Sequence, residues 1–378
     1  MQSDKYLESA YRLKENPFAS RTDPTVEMAG RKKEEQEWTL AVQSRIGVPA
    51  SSISFIVGDY GSGKTLSLYR IVRQFSGDAR VLCVFLKILP EDRITRFGVD
   101  FIQRLMREVP TVVFQRFRSE DLADLRRVYP EPAIVFGRIS VGDTDAMRFL
   151  RGDATIPART LEKWGLGRRM DRTEVAEEYL LGFLFLLRRI GVETLLIAVD
   201  EVEYIFSQMR GASIATLFNT LRSLYDLQDS DRAHRLPQPA ANAIFFLAIS
   251  AAGWKRLNDL GHREQTEGGP IQALMRRFHQ IIELSPLNKR ETRQLIEQRL
   301  RSNRAGDSPK DQPLIPYDET FVEYVAELSL GNPGEIVRFC DVALQEGLRR
   351  KVRLLDRKFA EKAFADRGAV PSGENEED

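Results

Sequence analysis

Gly58-Asp59-Tyr60-Gly61-Ser62-Gly63-Lys64-Thr65 is the stretch on which the fold turns. It follows the apolar run Ile53-Ser54-Phe55-Ile56-Val57 and precedes Leu66-Ser67-Leu68-Tyr69-Arg70-Ile71-Val72, so the predicted order is strand, glycine loop, helix. A phosphate chain is bound by backbone N–H groups turned inward from a tight loop. Glycines at 58, 61 and 63 remove the Cβ atoms that would block that approach or forbid positive φ. A lysine at position 64 then reaches the β and γ phosphates, and the Thr65 hydroxyl takes a place on magnesium (Mg2+). The expectation is a site for ATP and Mg2+ formed by Gly58, Asp59, Tyr60, Gly61, Ser62, Gly63, Lys64, Thr65 and Leu66. The competing reading is a glycine turn that binds nothing, and the flanking strand and helix weigh against it.

The 378 residues, 42% hydrophobic and 29% charged, suffice for two or three structural units with a sizeable core. A formal net charge of +1 gives no whole-molecule field toward nucleic acid or a membrane, so any nucleic-acid surface is local. Cys83 and Cys340 stand among apolar neighbours and read as buried free thiols. His234, His262 and His279 have no ligand spacing with them, which argues against zinc. The N-terminal residues carry no hydrophobic targeting segment. The most apolar helical run, Tyr179 to Leu187, is too short to span a bilayer. The expected location is cytoplasmic, with no membrane partner.

Along the chain, residues 1–50 hold Asn16-Pro17-Phe18 and Ala29-Gly30-Arg31 ahead of a charged helix from Lys32 to Gln43. This arm either folds over an adenine or docks without touching nucleotide. After the glycine loop, Val81 to Lys87 is a continuous apolar run, as a parallel strand covered on both faces requires. A helix is expected over Arg93 to Glu108. Residues 110–172 are too long for a plain connection and read as a helical insertion, with Ala133-Ile134-Val135-Phe136 strand-like within it. Its part from Arg148 to Arg172 has an excess of about four positive charges, which suits either phosphate contact or a solvated face. A helix from Arg172 to Ile190 leads to the strand Leu195-Leu196-Ile197-Ala198-Val199-Asp200, and a helix at Ser213 to Leu227 to the strand Ala243 to Ser250. Helix Ile271 to Phe278, strand Gln280 to Leu284 and four further helices complete the pattern. Alternating strands and helices predict a parallel sheet with its ligand at the carboxyl ends of the strands.

Those ends carry the candidate chemistry. Asp200, closing an apolar strand, is desolvated unless a cation complex partners it, which makes it a magnesium ligand beside Thr65. Glu201, next along, can polarise the water that attacks the γ phosphate; the plainer reading of the pair is a helix cap and a surface acid. Ser250 can hold that water or the γ phosphate, although a serine ending a strand is common. Glu193 and Glu203 read as surface acids. Arg276-Arg277 precedes the fifth strand, where a neighbouring subunit's nucleotide can lie, or else the pair is an ordinary solvated helix end.

Together these residues resemble the AAA+ ATPases, within them the origin-recognition and initiator-like branch. The likeness rests on Asn16-Pro17-Phe18 with Gly30-Arg31, the loop at 58–65, Asp200-Glu201, Ser250, Leu274-Met275-Arg276-Arg277-Phe278 and Gly331-Asn332-Pro333. It implies an α/β fold in which a P-loop parallel sheet flanked by helices forms an AAA+ core at 51–286. A helical lid follows at 287–366, and a disordered acidic tail at 367–378. It also implies Lys64, Thr65 and Asp200 as nucleotide and metal residues, Glu201 as catalytic base, Ser250 as first sensor and Arg277 as an arginine finger acting on another subunit. That branch often has an arginine straight after Gly-Asn-Pro as second sensor; here Gly334 stands there, and Arg338 is the possible substitute. A narrower resemblance, to the ATP-binding proteins of bacterial phage-exclusion (BREX) systems, rests on the loop, on Phe149-Leu150-Arg151-Gly152-Asp153 and on Leu187-Arg188-Arg189-Ile190-Gly191 ahead of Val199-Asp200-Glu201-Val202-Glu203. The implied function is an ATPase switch that forms a homo-oligomer through Arg276 and Arg277 and acts on DNA or a DNA-processing enzyme in antiviral defence. The alternatives are a regulatory NTPase that engages a partner protein through the insertion without DNA, and a small-molecule kinase, for which sensor, finger and lid would be superfluous.

Overall fold

The computed structural model describes residues 2–19, 28–89, 97–153, 156–204, 221–263, 275–306 and 312–368. The chain divides into two compact units, one made of 1–35, 58–66 and 284–378, the other of 36–57 and 67–283.

The larger unit is built on a five-stranded sheet of order β2-β3-β4-β1-β5, with β1 Ser52–Gly58, β2 Val81–Lys87, β3 Thr194–Asp200, β4 Asn242–Ser250 and β5 Phe278–Glu283. The pairs β2/β3, β3/β4 and β1/β5 are parallel. Every residue of β1 and β3, and all of β4 except Ser250, is buried, which is why these strands are apolar without alternation. At the edge, β5 alternates in exposure and its sequence carries His279, Gln280 and Glu283. Parallel strands end on one side of a sheet, so Val57, Asp200 and Ser250 share the same edge.

Its helices are the C-terminal part of α2 (Lys32–Gln43), α3 (Lys64–Phe75) from Ser67 onward, and α4 to α11. These run α4 Phe97–Glu108, α5 Thr111–Phe114, α6 Ser119–Val128, α7 Pro130–Ser140, α8 Thr144–Arg151, α9 Ala158–Trp164, α10 Thr173–Arg189 and α11 Ala251–Arg263. The apolar run 179–187 lies in the C-terminal half of α10, which is buried on nearly all sides and packs against α4, α6 and α7. No helix among the described residues is long and apolar enough to cross a membrane.

The segment 110–172 is helical, and its apolar residues join the same continuous core as the sheet. The strand expected at Ala133–Phe136 is corrected: these residues lie inside α7. Pro130 opens α7 at its first turn, and burial of Ala133, Val135, Phe136 and Ile139 follows the helical period. Several cations of the basic stretch are bound within the chain, Arg148 by Asp145, Arg168 by Glu131 and Glu178, and Arg151 by the carbonyls of Met106 and Val109. Cys83 is only half-buried, with burial pushing its thiol up to about 12, whereas Cys340 is fully buried; both are free thiols. Of the expected helices at Ser213–Leu227 and Ile271–Phe278, residues 213–220 and 271–274 lie outside the described residues, as does the acidic tail beyond Gly368; 221–225 is helical, whereas Arg276 and Arg277 form a turn and Phe278 already belongs to β5, which corrects the end of the second helix.

The smaller unit has its own core, in which Leu7, Tyr11, Leu13 and Phe18 join α12 Lys289–Ser302, α13 Glu319–Leu328, α14 Pro333–Arg350 and α15 Arg357–Asp366. Each of these four helices starts on a side-chain cap: Asn288, Asp318, Asn332 and Asp356. The carboxylate of Glu346, 1% exposed, accepts from Arg349, Arg350 and Arg367 and so ties the end of α14 to the residue after α15. The hydrogen bond from Arg349, ahead of that from Arg367, holds this carboxyl down at about 2.

Candidate functional site

Within the smaller unit the glycine loop is braced by residues far from it in sequence. The carbonyl of Tyr60 accepts from Asn332 Nδ2 at 2.8 Å, that of Gly61 from the Gly334 N–H at 2.9 Å, and that of Ser62 from Arg31 Nη2 at 3.3 Å. Arg31 is 3% exposed; its Nη1 also donates to the Ser285 carbonyl at 2.6 Å and pairs with Glu34 at 3.0 Å, so the charge of the buried guanidinium is paired. Lys64 Nζ donates to the carbonyls of Gly58 at 3.0 Å and Asp59 at 3.1 Å. Ser62 Oγ is buried and has no hydrogen-bond partner among the described residues.

The stretch Gly331-Asn332-Pro333-Gly334 is used residue by residue. Gly331 lies at φ +75°, and a Cβ there would stand 2.2 Å from the Leu287 carbonyl oxygen, so no larger residue fits. Asn332 caps α14, its Oδ1 accepting from the N–H groups of Gly334 and Glu335. Pro333 is the first residue of that helix. A Cβ on Gly334 would come within 2.9 Å of Gly61 Cα and 3.2 Å of its oxygen. Arg338, the possible substitute for a second sensor, pairs with Glu335 on its own helix at 2.6 Å and lies over the Phe339 ring at 4.5 Å.

Within the larger unit the carboxyl ends of β3 and β4 form a second cluster. Asp200 is 1% exposed, and its Oδ1 accepts from the Glu201 N–H at 3.0 Å. Glu201 takes φ +60°, a left-handed conformation that costs a residue with a Cβ about 1–2 kcal/mol and recurs where local geometry serves a site. The chain then turns so that Glu203 Oε1 accepts the Ser250 N–H at 3.1 Å, while Glu203 Oε2 is buried without a partner among the described residues. Ser250 Oγ accepts from Gly253 N–H at 3.1 Å as the cap of α11, and among the described residues its own hydroxyl hydrogen has no acceptor.

The expected role of Glu203 as a surface acid is therefore corrected: it is half-buried and holds the end of β4. The only signal in the sequence was its place two residues past Glu201. Glu193, the other acid so assigned, pairs with Arg188 at 3.3 Å. Arg277 stands apart from this cluster in its contacts, its Nε donating to Asp226 Oδ1 at 2.9 Å near the ring of Tyr225, whereas Arg276 is exposed.

Among the described residues no group of three or more His, Cys, Asp or Glu side chains is placed to hold a metal. Asp200 in the larger unit and Thr65 in the smaller each carry an oxygen donor of the hard kind that magnesium takes. The unpartnered Ser62 hydroxyl in the loop is likewise suited to an oxyanion.

The sheet order, together with the glycine loop that directly follows β1, defines the class: a P-loop protein with the α/β fold of the AAA+ ATPases. Within that class the chain belongs to the BREX system ATP-binding protein BrxC/D family, whose sequence model matches residues 141–359. The matched span begins after the loop and contains Asp200, Glu201, Ser250, Arg277 and Gly331 to Gly334. No curated protein matches the sequence. Among solved structures, Cdc6p from Pyrobaculum aerophilum is 13% identical, with 96% of this chain and 70% of that one covered at a TM-score of 0.45. For Drosophila ORC bound to DNA the figures are 14%, 98%, 67% and 0.48. For the Thermotoga maritima RuvB Holliday junction branch migration motor they are 11%, 89%, 70% and 0.40.

Proposed function

We propose that the chain is an ATP-hydrolysing switch that assembles with copies of itself and acts on DNA or on a DNA-processing partner in defence against foreign DNA. The observation that carries this reading is the end of β3, where a buried aspartate is followed by a glutamate held at positive φ, in a chain that also has a complete phosphate loop. Lys64 and the loop N–H groups bind the phosphates, while Thr65 and Asp200 hold magnesium. Bound there, the metal would neutralise charge on the β and γ phosphates. Glu201 orients the attacking water, and Ser250 donates its hydroxyl hydrogen to that water or to the γ phosphate. Arg277 serves a neighbouring subunit, exchanging its bond to Asp226 for the γ phosphate of that neighbour.

Membership of a family of BREX ATP-binding proteins supports the defence role. The second reading, a regulatory NTPase that engages a protein through residues 110–172, is favoured by one observation: several cations of that segment are bound within the chain rather than offered to phosphates. ATP turnover measured with and without duplex DNA separates the two. Stimulation by DNA supports the first reading, and turnover indifferent to DNA over a range of salt supports the second.

A further inference from the structure

Three consecutive loop carbonyls, those of Tyr60, Gly61 and Ser62, each accept a hydrogen bond from outside the loop, and two of the donors lie in the sequence Asn332-Pro333-Gly334. We propose that Asn332 and Gly334 form a latch that positions the phosphate loop, so that the start of α14 governs nucleotide affinity through the loop backbone and not through an arginine on the γ phosphate. This inference rests on the loop being the nucleotide site.

The geometry excludes a side chain at 334. Any Cβ there meets the Gly61 backbone, and the two backbone segments approach closely enough for the Gly334 N–H to bond the Gly61 oxygen at 2.9 Å. Arg338, one helical turn on, is engaged by Glu335 and by the Phe339 ring. The loop groups that accept from Asn332 and Gly334 are carbonyls, those of Tyr60 and Gly61. A loop whose carbonyl oxygens are taken up by these donors keeps them from turning toward phosphate, where they would repel it. That benefit is the same for any nucleotide whose α and β phosphates sit in the loop. A guanidinium reading the γ phosphate would favour ATP over ADP; a backbone latch does not distinguish them.

Asn332→Asp separates the latch from the helix cap. The aspartate carboxylate accepts from the N–H groups of Gly334 and Glu335 as the asparagine oxygen does, so α14 stays capped, but it cannot donate to the Tyr60 carbonyl. Fluorescent ATP and ADP analogues are titrated into the wild type, Asn332→Asp, Asn332→Ser and Lys64→Ala, with thermal unfolding followed for each. The serine variant also caps the helix but is too short to reach Tyr60. Both Asn332 variants should lose about tenfold in affinity, the loss expected for one hydrogen bond, by a common factor for ATP and ADP, with unfolding close to wild type. Wild-type affinity in both variants, or a loss confined to ATP, overturns the latch. Unchanged affinity in Lys64→Ala instead removes the reading of the loop as the nucleotide site.

Discussion

The glycine loop and the acidic end of β3 are held by opposite means. Tyr60, Gly61 and Ser62 are braced by Asn332, Gly334 and Arg31, of which Asn332 is 272 positions from its partner. Asp200 and Glu203 instead hold backbone groups at the ends of two adjacent parallel strands, Asp200 that of its own neighbour and Glu203 that of Ser250. The difference assigns separate consequences to separate changes. A substitution among the loop's supports should weaken nucleotide binding and leave the chemical step alone, whereas one at the strand ends should slow chemistry and leave affinity intact.

The largest effect expected lies outside both clusters and would sharpen the contrast. If Arg277 acts on a neighbour, Arg277→Ala lowers turnover by about a thousandfold or more while ATP affinity stays at the wild-type value, and wild-type specific activity rises with protein concentration. Turnover per chain that is constant across a hundredfold dilution, with the variant active, would leave Arg277 as the partner of Asp226 and nothing more. Mixing Arg277→Ala with an inactive base variant should restore part of the activity, because some interfaces then pair an intact finger with an intact base.

A smaller effect tests the strand-end cluster. Glu203→Ala removes the acceptor of the Ser250 N–H, a part-buried bond, and lets the end of β4 shift. Turnover should fall about tenfold, equivalent to ~1.4 kcal/mol in the barrier, with ATP affinity unchanged. Glu203→Gln keeps an acceptor oxygen and should recover most of the rate. A drop in affinity without a drop in rate would break the division between the two clusters, as would slower single-turnover hydrolysis by Asn332→Asp at saturating ATP.

What could be read from the sequence follows from the range of each interaction. The loop is a local pattern, and so is each buried strand, since burial on both faces demands an unbroken apolar run such as Leu195 to Val199. The place of Asp200 and Glu201 at the end of β3 is legible because acids ending such a run are conspicuous. Ala133 to Phe136 misled because four apolar residues fit either period, and only packing of Val135, Phe136 and Ile139 into the core selects the helix. Glu203 misled because the left-handed turn at Glu201 cannot be anticipated from residue type; an ordinary extended Glu201 would send Glu203 elsewhere. Gly334 stands in the sequence where the initiator-like branch often has an arginine, but its reason, the backbone of Gly61 against it, is a contact across most of the chain length.

The central claim is that Glu201 orients the attacking water in a site whose binding is supplied by the loop. It is tested most directly by measuring ATP affinity and steady-state turnover of Glu201→Gln beside the wild type. The account predicts wild-type affinity with turnover lower by about a hundredfold to ten-thousandfold, since the amide keeps the shape and removes the base. Turnover at the wild-type rate would contradict it.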